Sequence, residues 1–485
     1  MPPTLRSAKL RADVADTNAP PLTPTSPPLT PAHLTHRRQQ SSARGRLVRT
    51  QSEWLRPMPT SSEAEGIPCF TIDLSLPPER RYDEVCAELK DEMRNLRFLF
   101  DEVVGALVPF LPTSGLRWIC SFLLRRLWSN EETAELRGIS RATGIEMYLL
   151  VCLNVLLDLL MGCSSGGAAV KDEQDPSGKG KKMVHFRTLD WGMPALRHIL
   201  VHLDFVMEPG GEVVASTVTY AGFVGVLTGV RKDLSLSLNF RGLHNDMNKI
   251  GSNLRYYGHH AMVLLGLRQS ISSLLRSYLL PNQASMNSRK PTKRNLPSYA
   301  EIVEQVSCIN RPLPTSACYL CFCNGTETTV FEKDRVTAKM HSAKDFIVIT
   351  NVDVPDAERF KDSSDIENAF DNAFSHSLRD VAEEALDRKG CAEHNWRNLL
   401  LSKAKTSRRP KPVMVETEDL VELVQKYPTT NEATHFACVM DAKRGAVSWC
   451  RMWKEPVGEE WIESHMSEGW EGLGGEWDRE AVLTG

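Results

Sequence analysis

One change of texture divides this chain at Gly162-Cys163: apolar residues recur at helical spacing before it and alternate as in strands after it. Between Tyr82 and Leu160, residues Val85, Leu89, Met93, Leu96, Leu99 and Val103 fall three or four positions apart. That is the spacing that lines one helix face. The stretches Glu131 to Leu136 and Ile145 to Leu160 continue the pattern. A single strand precedes these helices, since Cys69-Phe-Thr-Ile-Asp-Leu-Ser-Leu alternates until Pro77-Pro78 stops it.

Beyond Cys163, short alternating runs lie between Gly, Pro and charged turns, as in Val184-His-Phe-Arg-Thr-Leu and Val213-Val-Ala-Ser-Thr-Val-Thr-Tyr. Phe223 to Thr228 and Leu234 to Asn239 read as two strands joined through a loop over Gly229 to Asp233. Helices are predicted at Ala261 to Leu280, Tyr299 to Val306 and Ile366 to Arg388. Further strands are predicted at Ala317 to Cys323, Thr329 to Glu332 and Phe346 to Asn351. Lys403 to Lys411 reads as a polar surface loop, and Thr434 to Met440 with Ala446 to Arg451 as a closing hairpin. No solenoid-type repeat is present.

Composition narrows the functional classes. A hydrophobic fraction of 41% supports a packed core, and a net charge of -3 gives no global basic field for phosphates, so no nucleic-acid partner is expected. Residues 1–66, rich in Pro, Ser, Thr and Arg, are expected to form a disordered tail. Its prolines argue against the amphipathic helix of a transit peptide, and the chain shows no charged start with an apolar core like that of a secretory signal. Twelve cysteines scattered over 485 residues read as reduced thiols, so an intracellular, by default cytoplasmic, setting is the expectation. Met147 to Met161 is apolar, but Asn154 and Asp158 interrupt it and it is shorter than the roughly 20 residues a spanning helix needs.

The chemistry centres on Leu160-Met-Gly162-Cys163-Ser-Ser-Gly-Gly, a thiol at the helix-to-strand change. A cysteine alone is often only a small core residue. Arg187 and Asp190, three apart in the next strand, add a cation that favours thiolate and a carboxylate that can orient an amine. A surface ion pair is the other reading of that doublet.

These residues resemble the acid ceramidase and N-acylethanolamine-hydrolysing acid amidase family, related to choloylglycine (bile salt) hydrolases. In that family a Cys precedes a strand carrying Arg-x-x-Asp-[Phe/Trp]-Gly, here Arg187, Asp190, Trp191 and Gly192. Three more segments match in order: Pro68-Cys-Phe-Thr-Ile-Asp-Leu-Ser-Leu-Pro-Pro, Ala221-Gly-Phe-Val-Gly-Val-Leu-Thr-Gly, and Val348-Ile-Thr-Asn351-Val-Asp353. The resemblance implies an α+β fold, the four-layer αββα sandwich of N-terminal nucleophile hydrolases. It implies a precursor that cleaves itself at Gly162/Cys163 into a helical part, 67–162, and a strand-rich catalytic part, 163–485, the two staying associated.

The freed amine of Cys163 would then be the general base for its own thiol, with no catalytic histidine. By the same resemblance Arg187 lies close to the sulfur, Asp190 holds the amine, and Asn351 donates to the oxyanion. Arg388 is the best match to a second family arginine, a helix-surface role being its alternative. Asn239 aligns with a Leu-Asn-Glu-Arg motif near the substrate amide, and Phe240 replaces the Glu of that motif. The implied substrate is a lipid amide, ceramide first and N-acylethanolamine second. Apolar helices such as Ile145 to Leu160 are consistent with an acyl tunnel or with membrane-surface contact, and core packing accounts for them equally well.

Other signals point elsewhere. Cys318-Tyr-Leu-Cys321-Phe-Cys323 suggests zinc ligands, but a strand turns Cys318 away from Cys321 and Cys323, so buried thiols are the expectation and no metal or other cofactor is assigned. Gly222, Gly225 and Gly229 lack the context of a dinucleotide site. His185, His244, His259, His260 and His435 leave a papain-like pairing open by composition, without a flanking motif. A non-catalytic protein keeping the fold is the rival from another class.

Overall fold

The computed structural model describes residues 66–97, 113–156, 162–242, 244–246, 249–281, 296–308, 310–353, 372–406 and 413–470. The predicted tail up to residue 65, Leu99, Val103, and positions 157–161, 366–371 and 407–411 lie outside them.

The first part opens with strand β1 (Cys69–Asp73) and continues in helices α1 (Asp83–Arg94), α2 (Thr113–Leu123), α3 (Asn130–Thr143) and α4 (Met147–Leu156). Helix α3 starts on Ser129, whose side chain accepts from the Glu132 N–H, and stops at Gly144 in the left-handed region. Val85, Leu89, Met93 and Leu96, the predicted helical stripe, are all buried.

From Gly162 strands dominate: β2 (Gly162–Lys171), β3 (Lys181–Asp190), β4 (Leu200–Val206), β5 (Val213–Tyr220), β6 (Thr228–Arg231) and β7 (Leu234–Phe240). Helices α5 (Ile250–Leu264), α6 (Ile271–Leu279) and α7 (Tyr299–Ser307) follow, then β8 (Cys318–Cys323), β9 (Thr328–Lys333), β10 (Ala338–Ala343) and β11 (Phe346–Ile349). The chain continues through α8 (Asn372–Thr406), α9 (Thr417–Val424), β12 (Thr434–Asp441), β13 (Ala446–Met452) and α10 (Glu459–His465).

The strands form two sheets, one of eight in the order β1-β4-β5-β6-β7-β8-β9-β10 and one of five in the order β11-β2-β3-β12-β13. Among the strands of the described residues, β1 with β4 is a parallel pair and the other ladders are antiparallel. The sheets pack face to face, β2 on β7 and β3 on β8, with α8 and α9 outside the smaller sheet and α6 outside the larger. The fold is therefore an α+β sandwich in four layers, αββα. Its largest core joins the helices of the first part to Leu234, Leu236 and Leu238 of β7, while α8 and α9 close a second core over Val184 and Phe186 of β3.

Small residues in β2 let the sheets approach: a Cβ on Gly167 would lie 1.9 Å from Thr328 Oγ1 in the opposing sheet. Two expectations need correction. The loop of the central hairpin is only Lys232-Asp233, with Asp233 at φ 64, and Gly229 to Arg231 belong to the strand. Phe223 to Leu227 leave strand geometry because Asn154 captures them, its Nδ2 donating to Gly222 O and its Oδ1 accepting from Val224 N, both at 2.8 Å. Likewise Ala261 to Leu280 is not one helix; Gly266, at φ 65, ends α5 before Ser270 caps α6.

Candidate active site

Gly162 and Cys163 begin β2, the strand between β11 and β3; the β3 ladder holds both residues, while the β11 ladder begins at Ser165. Alternation turns Cys163 and Ser165 into the space between the sheets and Ser164 toward α8. On β3, Arg187 also points between the sheets. Its Nη2 donates to Cys163 Sγ at 3.2 Å and its Nη1 to the Leu227 carbonyl at 2.6 Å. The irregular Phe223 to Leu227 segment thus supplies the carbonyl that aims the guanidinium.

Asp190 lies on the other face. Its Oδ2 accepts from Arg388 Nη1 at 2.9 Å and its Oδ1 from Thr434 Oγ1 at 2.6 Å. Arg388, on α8, also donates to Ser164 Oγ at 3.2 Å and to Asn351 Oδ1 at 3.0 Å. Arg388 is thus drawn into the cluster and is not a helix-surface residue; it is buried. Both groups crowd Gly162, where a Cβ would lie 3.3 Å from Asp190 Cβ and 3.7 Å from Arg388 Nη2.

Asn351 receives the Cys163 backbone N–H on Oδ1 at 2.6 Å, while its Nδ2 donates to the Phe240 carbonyl at 2.9 Å. In the intact chain the Cys163 peptide nitrogen is therefore held by Asn351. Asn239 ties three strands together, accepting from Ser165 Oγ at 2.6 Å and donating to the carbonyls of Ile349 and Thr350 at 3.1 and 3.2 Å. Phe240 contributes its carbonyl, not its ring, to this hydrogen-bonding set.

The electrostatics follow from burial. Cys163 is 0% exposed, and burial pushes its thiol up, opposed chiefly by Arg187. Burial also raises the Asp190 carboxyl against the pull of Arg388. His185 bridges Ser235 and Ser237 at 3.2 and 2.9 Å and falls to about 3 through burial and Arg187. His435, between Tyr220 OH and the Trp191 carbonyl, also falls to about 3 by burial. Neither imidazole reaches the sulfur by a hydrogen bond.

Residues 65–127 match the family described as the beta subunit of N-acylethanolamine-hydrolyzing acid amidase. The N-acylethanolamine-hydrolyzing acid amidase of Caenorhabditis elegans is 30% identical over 187 residues, 36% of this chain and 47% of that protein. Acid ceramidase of Rattus norvegicus is 28% identical over 193 residues, 36% of this chain and 46% of that protein. Over the matched residues the chain is similar to the acid ceramidase and N-acylethanolamine-hydrolysing acid amidase family. It spans about half the length of the curated relatives it matches. A solved structure titled Caenorhabditis elegans N-acylethanolamine-hydrolyzing acid amidase (NAAA) ortholog aligns over 60% of this chain and 100% of its own, with a TM-score of 0.38 and 20% identity.

Some contacts of the site carry no motif. Arg241 and Asp353 form a buried ion pair that joins the Asn239 and Asn351 segments. Their separation of over a hundred positions carries no sequence signal, although both sit inside quoted motifs. Asn154, read only as an interruption in an apolar run, proves to be the anchor of the Leu227 segment. Cys318 alternates with Cys321 across β8, and the three thiols of that strand are buried.

Proposed function

We propose that this chain is an amidohydrolase of N-acyl lipids, with ceramide as first substrate and N-acylethanolamine as second, activated by self-cleavage between Gly162 and Cys163. The observation that carries the reading is the placement of Cys163: sulfur on Arg187, backbone nitrogen on Asn351, and the preceding Gly162 against Asp190 and Arg388.

Cys163 Sγ adds to the Gly162 carbonyl carbon, the thiol proton passes to the departing Cys163 nitrogen, and the C–N bond gives way to a thioester. Water then adds to the thioester, leaving a Gly162 carboxylate, the thiol and a new α-amine with a reference pKa of about 7.7–8.0. That amine lies beside its own sulfur and takes the thiol proton when Cys163 attacks the substrate amide. It returns the proton to the leaving amine, and water releases the fatty acid from the acyl thioester. Arg187 supports the thiolate, and Asn351 keeps the amine in place through Oδ1. For Asn351 to donate to the oxyanion, Nδ2 has to exchange its bond to the Phe240 carbonyl for the substrate oxygen.

Full burial of Cys163 in the intact chain supports activity that depends on cleavage. Association of the fragments is supported by β1 lying in the larger sheet beside β4. It is also supported by Glu135, which accepts from Arg81 before the cleavage point and from Arg276 after it, at 2.6 to 2.7 Å. Phe240 in place of a family Glu points to an apolar group where the substrate head is read.

Intact-mass analysis of the purified chain beside Cys163→Ala tests the scheme. Two fragments meeting at Gly162/Cys163, absent in the variant, with fatty acid released from ceramide, are expected. A single uncleaved chain that releases no fatty acid from ceramide or N-acylethanolamine would overturn it.

A further inference from the structure

Away from the nucleophile, β1 and β4 bring together three side chains with metal-ligand chemistry. In their parallel ladder Cys69 faces His202 and Thr71 faces Asp204. Residues two apart on a strand share a face, so Cys69, His202 and Asp204 project to one side. One ligand atom from each lies within 4.8 Å of the others. Cys69 Sγ is 3.7 Å from Asp204 Oδ2, and His202 Nε2 is 3.1 Å from Asp204 Oδ1.

These are spacings that a tetrahedral ion can bridge. Zinc bonds of about 2.3 Å to sulfur and about 2.0 Å to nitrogen or oxygen put neighbouring ligand atoms about 3.3 to 3.5 Å apart. His202 is 3% exposed, its Nε2 pairs with Asp204 Oδ1, and its Nδ1 has no hydrogen bond. A cation bound between the three groups would take the place of the direct Nε2–carboxylate contact. Ser216 Oγ donates to Asp204 Oδ1 and fixes the carboxylate as an outer partner would. A second nucleophile is the weaker alternative, because the Cys69 thiol donates to the carboxylate and not to the imidazole.

We propose that Cys69, His202 and Asp204 bind a zinc ion, with the exposed Cys69 side leaving the fourth position to water or an outside ligand. The thiol binds as thiolate and its proton leaves to solvent. Cys69 precedes Gly162/Cys163 and the other two ligands follow it, so the ion joins the edge strand of the first part to the second. Metal binding itself is independent of cleavage.

The reduced, metal-stripped full chain is titrated with Zn²⁺ against a chromophoric chelator, and with Co²⁺ followed by absorbance. One equivalent of Zn²⁺ is expected, with a thiolate-to-cobalt charge-transfer band, both retained in Cys163→Ala. Cys69→Ser, at an exposed position, should weaken Zn²⁺ by at least about 10-fold and remove the band, as should Asp204→Asn in a chain shown to be folded by its thermal transition. No saturable binding, unchanged affinity in Cys69→Ser, or loss of the metal in Cys163→Ala would each overturn the site.

Discussion

The two faces of the five-stranded sheet treat the same short strand differently. Between the sheets, Cys163 meets Arg187, Ser165 meets Asn239, and Arg187 is bonded to a carbonyl and a thiol, while His185 of the same face bonds Ser235 and Ser237. On the helix-covered face, Ser164 and Gly162 meet a closed ion pair, Arg388 with Asp190, itself bonded to Asn351 and Thr434. One face holds a cation whose bonded partners are neutral, suited to a charge that develops during reaction. The other holds a cation already matched. The first should therefore govern rate and the second stability.

Arg388→Ala is the strongest test of that division. It leaves Asp190 buried without its cation, and breaking a buried pair from one side costs about 3 to 5 kcal/mol. Urea unfolding at neutral pH should show this loss, and adding Asp190→Asn should recover part of it. A loss below about 1 kcal/mol would mean that the pair is not a structural element.

Arg187→Ala should show the opposite balance. Removing the donor to the sulfur is expected to lower kcat/KM for the proposed amide hydrolysis, and the rate of the proposed self-cleavage, by about 100- to 1,000-fold, the range for loss of a positioned transition-state donor. Its stability loss should be smaller than that of Arg388→Ala, because no buried counter-charge is stranded. Equal stability losses in the two variants would erase the distinction between the faces.

Much of this arrangement was legible before any coordinates. The switch from helical to alternating spacing falls where β2 begins, and the family resemblance, not the spacing, puts Arg187 close to the thiol. The opposite facing of Asp190 was available too: three positions along a strand is an odd step, which turns a side chain to the other face. The motif suggested proximity to the thiol, whereas the pleat sets Asp190 against Arg388. Arg388 itself could be offered only as a match, since a basic residue on a long polar helix is usually solvated. The extent of the central hairpin was misread for a related reason. Phe223 to Leu227 has strand composition, but its backbone is claimed by Asn154 from a helix about seventy positions earlier, and local pattern carries no trace of that.

Proton linkage gives a third test, confined to the inter-sheet face. His185 is driven to about 3 by burial in the folded chain, against about 6.5 unfolded. The unfolded chain therefore binds a proton that the folded chain refuses between these values. The stability from this group is complete above about pH 6.5 and falls as pH drops toward 3. At pH 5 the loss is about 2 kcal/mol, from 1.36 kcal/mol per pKa unit. His185→Gln, able to bond both Ser235 and Ser237, should lack that part of the acid sensitivity when unfolding free energies at pH 8 and pH 5 are compared. Parallel profiles would show that the imidazole is charged or solvated in the native state.

The smallest effect is the most local comparison, between adjacent serines on opposite faces. Ser165→Ala removes the 2.6 Å bond to Asn239 and unties β2 from β7, at a cost of about 1 kcal/mol for one buried hydrogen bond. Ser164→Ala removes only a 3.2 Å contact from an Arg388 that keeps Asp190 and Asn351, so its cost should stay within about 0.5 kcal/mol. Because Asn239 also holds the Ile349 and Thr350 carbonyls next to Asn351, Ser165→Ala should slow hydrolysis with KM little changed, and Ser164→Ala should leave kcat near that of the parent. The reverse order, in stability or in kcat, would place the organising contacts on the helix-covered face and make Arg388, not Arg187, the residue that sets the geometry of Cys163.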